Sequence, residues 1–280
     1  MTVVRIVPLI LACGLAAAGL MACATGPGTG GGGLTADGEA AVNDSLLESA
    51  RNAERARDYR AAAVRYARLY ERSPGQVEPL LGQARNLRYD GRAREAANVL
   101  RVGLEAHGQD PALLLEHAKA QFAAAMTNDA AGTLERLLAI DPENWQAVAL
   151  KAMLLDRQED FSGAHELYRQ AIELSAGDAG VVNNYGLSLA QGGQLDRAIE
   201  VLEELAHGGK STFQARQNLV MLYVIGGDMD KARQLSRQDL PPDKVAQNLA
   251  AYQTLVDRGV APAAAGLDTG DPAPGVKQSD

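Results

Sequence analysis

The chain has 280 residues, a formal net charge of −8, 46% hydrophobic residues and two cysteines. An acidic chain without a basic stripe is not typical of a nucleic-acid-binding protein, so the charge argues against a nucleic-acid partner.

Residues 1–22 read as a secretory signal peptide. One basic residue, Arg5, precedes an apolar run from Ile6 to Met21, and the segment has no acidic residue. Such a run is shorter than a comfortable membrane span. The sequence therefore predicts export of the rest of the chain.

The end of this segment resembles a bacterial lipobox. Leu20, Met21 and Ala22 precede Cys23, with leucine three positions before the cysteine and a small residue directly before it. The resemblance implies cleavage before Cys23 and acylation of its new N-terminus, and so a stable membrane anchor. The alternative is an ordinary signal peptide that is cleaved nearby, with Cys23 incidental.

Two further observations bear on this anchor. The other cysteine, Cys13, lies in the discarded segment, so Cys23 has no disulfide partner in the mature chain. Ala24 stands where an aspartate would retain some bacterial lipoproteins at the inner membrane. We therefore expect a lipid anchor in the bacterial outer membrane, with the remainder of the chain in the periplasm.

Two segments lack the apolar periodicity of a packed domain. Residues 23–42 are rich in glycine near their start and predict a flexible tether behind the acylated cysteine. Residues 259–280 are rich in alanine, proline and glycine and predict a disordered tail.

Small residues recur every 34 positions between these segments. One ladder is Ala62, Ala96, Ala130, Ala164, Ala198 and Ala232, and a second is Ala50, Ala84, Ala118, Ala152 and Gly186. This period is the signature of the tetratricopeptide repeat, a helix–turn–helix unit. We predict an all-α, right-handed solenoid of about six repeats over residues 43–240, with a capping helix over residues 241–258.

The first two repeats carry unusual charge. Residues 51–107 contain twelve arginines, no lysine and seven acidic residues, a net charge of +5. One interpretation is a set of solvated helix faces with snorkelling side chains. The other is a surface that contacts lipid phosphate or an acidic partner segment in a salt-sensitive way.

Candidate catalytic motifs fail on their context. Residues 26–31 satisfy a glycine-rich nucleotide motif without a strand before it or a helix after it. Glu204 occupies the first glycine position of the phosphate-loop-like string that ends at residues 209–211, and Arg169 replaces the second histidine of a zincin motif that begins at His165. Ser188 is predicted to lie within a helix. We therefore expect no catalysis, no cofactor, no metal and no small-molecule substrate.

The first helix of each repeat is expected to line a concave groove that binds a protein partner. Counting from the ladder gives a set of basic, aromatic, amide and thioether side chains that suit an extended or helical peptide. This predicted groove consists of Arg85, Arg88, Tyr89, Lys119, Phe122, Met153, Arg157, Asn183, Leu187, Gln191, Gln217 and Met221.

The C-terminal part of the chain resembles a known family. The strings are Ala-Arg-Gln-Asn-Leu at 215–219, Gly-Gly-Asp at 226–228, Arg-Gln-Asp-Leu-Pro-Pro at 237–242 and Asn-Leu-Ala-Ala-Tyr at 248–252. They resemble the TadD-type tetratricopeptide lipoproteins of the Tad (Flp) pilus assembly system. The resemblance implies a non-catalytic assembly factor with a pilotin-like role towards the outer-membrane secretin. A general envelope scaffold and a chaperone-like holder of pilus subunits remain as alternatives.

Overall fold

The computed structural model describes residues 36–258. This part of the chain consists of thirteen α-helices and contains no strand, as predicted. The helices are α1 (Ala36–Arg55), α2 (Tyr59–Arg72), α3 (Val77–Tyr89), α4 (Ala93–His107), α5 (Pro111–Ala123), α6 (Thr127–Ile140), α7 (Trp145–Arg157), α8 (Phe161–Leu174), α9 (Ala179–Gln191), α10 (Leu195–His207), α11 (Phe213–Ile225), α12 (Met229–Ser236) and α13 (Pro242–Asp257). Helices α1–α12 form the six predicted pairs, and α13 follows them.

The first helix is longer than the sequence pattern indicated. It begins at Ala36, seven residues before the predicted start of the solenoid at residue 43. Residues 37–42 are exposed or half-buried, so they carry no apolar stripe that would have indicated a helix. The predicted lipobox, the first part of the predicted tether and the predicted tail lie outside the described residues.

Both small-residue ladders lie at the helix–helix contacts. The alanines of both ladders expose none of their surface; they are Ala62, Ala96, Ala130, Ala164, Ala198 and Ala232, and Ala50, Ala84, Ala118 and Ala152. At Gly186, even a methyl group would come within 2.7 Å of Leu202 on the paired helix. Small side chains therefore set how closely the two helices of a repeat approach.

The turn inside each pair repeats with the same period. One residue of each turn has a positive φ of 58–81°, and three of the six are glycines. The next residue caps the second helix, and the carboxylates of Asp58, Asp160 and Asp228 accept a backbone N–H there. The positive-φ residues are Arg57, Gly91, Ala125, Glu159, Gly193 and Gly227.

This turn allows a paired test of backbone strain. Ala125→Gly is expected to raise the free energy of unfolding by about 1 kcal/mol, because a residue with a Cβ is disfavoured at positive φ. Gly193→Ala, at the equivalent turn, should lower it by a similar amount. Urea unfolding followed by circular dichroism measures both free energies of unfolding. If the two substitutions shifted the free energy of unfolding in the same direction, the turn geometry would be contradicted.

The inner side of the solenoid is formed by the odd-numbered helices. Helices α3, α5, α7, α9 and α11 each pack against the next odd-numbered helix. In residues 36–258, no two even-numbered helices pack together to a comparable extent. The odd-numbered helices therefore lie on the concave side, which we call the inner face, and α2, α4, α6, α8, α10 and α12 form the outer face.

Helix α13 closes the C-terminal end as predicted. Pro242 stands in its first turn, where a missing N–H has no cost. Val245 and Leu249 are buried, and Tyr252 and Val256 are half-buried against the core. The helix thus covers the apolar side of the last repeat, as a solenoid end requires.

Candidate partner-binding face

Ion pairs occupy the N-terminal half of the inner face. The guanidinium of Arg51 on α1 lies 2.8 Å from Glu78 on α3, and Arg85 on α3 lies 3.1 Å from Glu54 on α1. Arg88 continues the series to Glu116 on α5 at 3.0 Å, with side chains only 7% and 10% exposed. Each pair joins successive odd-numbered helices, so the charges here stabilise the solenoid itself.

Glu54 collects several of these contacts. Its carboxylate accepts hydrogen bonds from Asn86, at 2.5 Å, and from the Tyr66 hydroxyl, at 2.9 Å. Burial, together with the hydrogen bond to Glu54, raises the pKa of Tyr66 to about 12. Glu54 therefore joins α1, α2 and α3 into one polar network.

Many of the arginines of the basic segment are paired. Arg60 and Arg92 approach Asp90, while Arg92 also binds Glu95 and Arg101 binds Glu105. Other arginines of the segment, such as Arg68 and Arg94, are exposed on the outer face. Contact between this segment and an anionic surface stays a prediction.

A second polar network lies in the middle of the solenoid. The buried carboxylate of Asp156 on α7 accepts hydrogen bonds from Tyr168 on α8, at 2.8 Å, and from Ser188 on α9, at 2.5 Å. Burial raises the pKa of Asp156, although the two hydrogen bonds and the charge of His165 act in the opposite direction. Its burial and two hydroxyl partners indicate a structural role.

The predicted groove residues divide into buried and accessible groups. Arg85, Tyr89, Gln191 and Met221 are half-buried, whereas the side chain of Arg88 is only 7% exposed because it is paired with Glu116. Arg157 is exposed, with its guanidinium 3.4 Å from the centre of the Phe122 ring. The remaining side chains are at most 8% exposed and lie between helices; they are Lys119, Phe122, Met153, Asn183, Leu187 and Gln217. Partner contact by any of the twelve stays a prediction.

Amide side chains form a ladder across the C-terminal half of the inner face. Asn218 on α11 donates to the carbonyl oxygen of Asn183 on α9 at 2.7 Å. Asn248 on α13 donates to that of Gln217 on α11 at 2.7 Å. The Asn183 and Gln217 amide nitrogens are buried and have no hydrogen-bond partner among the described residues.

A cleft opens beside this ladder, between α11 and α13. Its volume is about 610 Å³. Five of the eleven described residues that line it are apolar, and two of these are well exposed for their type: Phe213 at 53% and Leu255 at 41%. Met221, Leu240 and Tyr252 complete the apolar lining. We call this site the C-terminal cleft.

The residues considered for chemistry have structural contacts instead. Ser188 binds Asp156, and the imidazole of His165 packs edge-on against Tyr185 at 5.7 Å between centroids. Lys210 donates to two backbone carbonyls just after α8. Among residues 36–258, no group of histidine, cysteine or acidic side chains is arranged to hold a metal ion.

The sequence interpretation missed the acidic partners and the cleft. Glu54, Glu116 and Asp156 lie on odd-numbered helices, and the predicted groove contains no acidic residue. Glu54 and Asp156 had a signal in the sequence, because each precedes a buried tyrosine by 12 residues; Glu116 had none. Phe213 and Leu255 carry no comparable signal.

Comparison with known proteins supports the fold. A family model described as "Tetratricopeptide repeat" matches residues 115–179 and 149–215. The uncharacterised protein y4yS of Sinorhizobium fredii is 32% identical over 98 residues, which are 35% of this chain and 54% of that protein. The match thus spans about half the length of this curated relative.

Solved structures show the same architecture. The pilF protein of Pseudomonas aeruginosa has a TM-score of 0.56 at 15% identity, covering 76% of this chain and 99% of pilF. The tetratricopeptide repeat protein TTC0263 of Thermus thermophilus has a TM-score of 0.54 at 21% identity, covering 64% of this chain and 100% of that protein. At these identities the likeness concerns the fold alone.

These findings define the described chain as a tetratricopeptide repeat solenoid, a fold that serves as a protein–protein interaction scaffold. None of the helices in residues 36–258 combines the length and the apolar character needed to cross a bilayer.

Proposed function

We propose that the protein is a lipid-anchored assembly factor of a Tad (Flp) pilus system and that it acts without catalysis. The observation that carries the proposal is the sequence resemblance over residues 215–252. This segment forms α11, α12 and most of α13, and it supplies most of the lining of the C-terminal cleft. The part of the chain that resembles the pilus lipoproteins is therefore also a part with accessible inner surface.

The proposed mechanism is tethering. Acyl chains on Cys23 hold the chain at the periplasmic side of the outer membrane, and the inner face binds a segment of the secretin. Confinement to the membrane raises the local concentration of the bound secretin subunits and favours their assembly into a ring. Such a pilotin-like role requires a binding surface and an anchor, and it requires no reactive side chain.

The inner face offers an asymmetric surface for this role. Its N-terminal half is crossed by ion pairs within the chain, such as Arg88 to Glu116. Its C-terminal half presents the exposed apolar side chains of the C-terminal cleft. We therefore place partner binding in the C-terminal half, around Met221 and Leu255.

Deletion of the gene tests this proposal. Membrane fractions of the deletion strain are blotted for secretin multimers, and surface pili are counted. Loss of both is expected and is restored by a plasmid copy. Normal multimers without pili would place the protein at a later assembly step. Normal multimers with normal pili would contradict the pilus assignment and favour a general envelope scaffold.

A further inference from the structure

We infer that the C-terminal cleft binds an extended, neutral or acidic peptide segment of a partner protein, with at least one large apolar side chain inserted between α11 and α13. The inference rests on the proposed function, because it assumes that the inner face binds protein. It adds the site within that face and the chemistry of the bound segment.

The cleft walls specify an apolar occupant. Phe213 on α11 and Leu255 on α13 leave 53% and 41% of their surface exposed. Met221 lines the same cleft, and its unbranched thioether adapts to different shapes. Burying such side chains under a ligand is favourable by about 25 cal/mol per Å² of apolar surface. A volume of about 610 Å³ has room for a large aliphatic or aromatic side chain with adjoining main chain.

The amide ladder specifies main-chain contacts. Buried polar groups almost always have hydrogen-bond partners, so two neighbouring donors without one are informative. Asn183 is 2% exposed and Gln217 is 8% exposed, and their amide nitrogens lack acceptors among the described residues. The two residues are 34 positions apart and occupy the same place in successive repeats. Gln217 lines the cleft, so a carbonyl oxygen of an extended peptide would meet its amide nitrogen once the side chain turns outward, whereas Asn183 is not part of the lining.

Charge decides which segments are excluded. Among the described residues, Lys244 is the one charged residue that lines the cleft, and no acidic side chain lines it. A basic segment would place its charge beside this ammonium group without a carboxylate to compensate. A neutral or acidic segment has no such conflict, and a carboxylate near Lys244 would gain from the pairing.

Selection from a displayed library of random twelve-residue peptides tests the inference. The bait is the full chain in mild detergent, and fluorescence anisotropy then measures the affinity of the selected peptides. Peptides with a large apolar residue and no net positive charge are expected. Leu255→Asp and Met221→Asp should each weaken binding at least tenfold, and Gln217→Ala roughly fivefold, the loss of one hydrogen bond.

The matched control is Val102→Asp. Val102 is 50% exposed on α4, at the outer face, so this change adds the same charge to a comparable apolar surface away from the cleft. The affinity of the Val102→Asp variant for the selected peptides should equal that of the unchanged chain. Circular dichroism verifies that all variants fold. Equal loss in the control and the cleft variants, or selection of basic peptides, would overturn the inference.

Two further outcomes separate the possible occupants and proposals. Binding that occurs only after removal of residues 259–280 would overturn the inference, because the chain's own C-terminal segment would then be the occupant. The library contains no designed pilus sequence, so its result is independent of the deletion strain. Loss of pili in the deletion strain, with no peptide that binds the cleft, would support the proposed function and reject this inference. Cleft-binding peptides together with normal pili would reject the pilus assignment and leave this inference intact.

Discussion

Gly186→Val is expected to lower the free energy of unfolding by about 2–3 kcal/mol, through overpacking. Gly186 belongs to the 34-residue ladder on α9. A Cβ added there would lie 2.7 Å from both Cγ and Cδ2 of Leu202, and Leu202 is itself fully buried. The two helices of the fifth repeat would have to separate, and urea unfolding followed by circular dichroism measures the cost.

The matched control is Gly132→Ala on α6. Gly132 is also within a helix, but it is exposed, and nothing lies within 4 Å of an added Cβ. Here the lower backbone entropy of alanine in the unfolded chain should raise the free energy of unfolding by about 0.5–1 kcal/mol. If Gly186→Val were as harmless as this control, the ladder would not be setting the helix–helix distance.

Asp156→Ala is expected to be the second severe change, with a loss of about 2–4 kcal/mol in the free energy of unfolding. The hydroxyls of Tyr168 and Ser188 both donate to this carboxylate, and both residues are almost completely buried. Removing the acceptor leaves two buried donors unsatisfied, at about 1–3 kcal/mol each, partly offset because a desolvated carboxylate is lost. Thermal and urea unfolding at neutral pH measure the effect.

Asp156→Asn separates shape from charge. The amide fills the same volume and keeps one acceptor, so its cost should be far below that of the alanine variant. Burial raises the pKa of Asp156 in the folded chain above the ordinary 3.8, which means that the folded state binds this proton more tightly than the unfolded state. The stabilising contribution is then complete below pH 3.8 and is lost as the pH rises through the folded pKa. As the pH rises through the folded pKa of Asp156, the free energy of unfolding of the unchanged chain should therefore fall relative to that of Asp156→Asn. A difference between the two that does not change with pH would contradict the raised pKa of Asp156.

The helical architecture could be predicted from the sequence because close helix packing restricts certain positions to small residues. Ala164 and its equivalents admit no larger side chain, so they recur at the repeat length. The turn glycines, such as Gly193, recur for a backbone reason, since their φ is positive. The start of α1 was not readable, because residues 37–42 bury little surface and leave no apolar pattern.

The polar networks were not anticipated, although their spacing repeats. Glu54, Tyr66 and Asn86 have the same separations, 12 and 32 residues, as Asp156, Tyr168 and Ser188. Different residue types fill equivalent places, so a search for identical residues passes over them. Counting from the ladder predicted which residues lie on the inner face. It did not predict how exposed each side chain is, because neighbouring odd-numbered helices cover these side chains to different extents.

Photo-crosslinking in living cells can show whether the inner face binds the secretin. A photoreactive amino acid replaces Met221, in the C-terminal cleft, or Val102, on the outer face, and membranes are blotted with an antibody against the secretin. We expect a secretin adduct from position 221 and none from position 102. An adduct from position 102 alone, or none from either position in cells that assemble pili, would contradict the claim that the inner face holds the secretin.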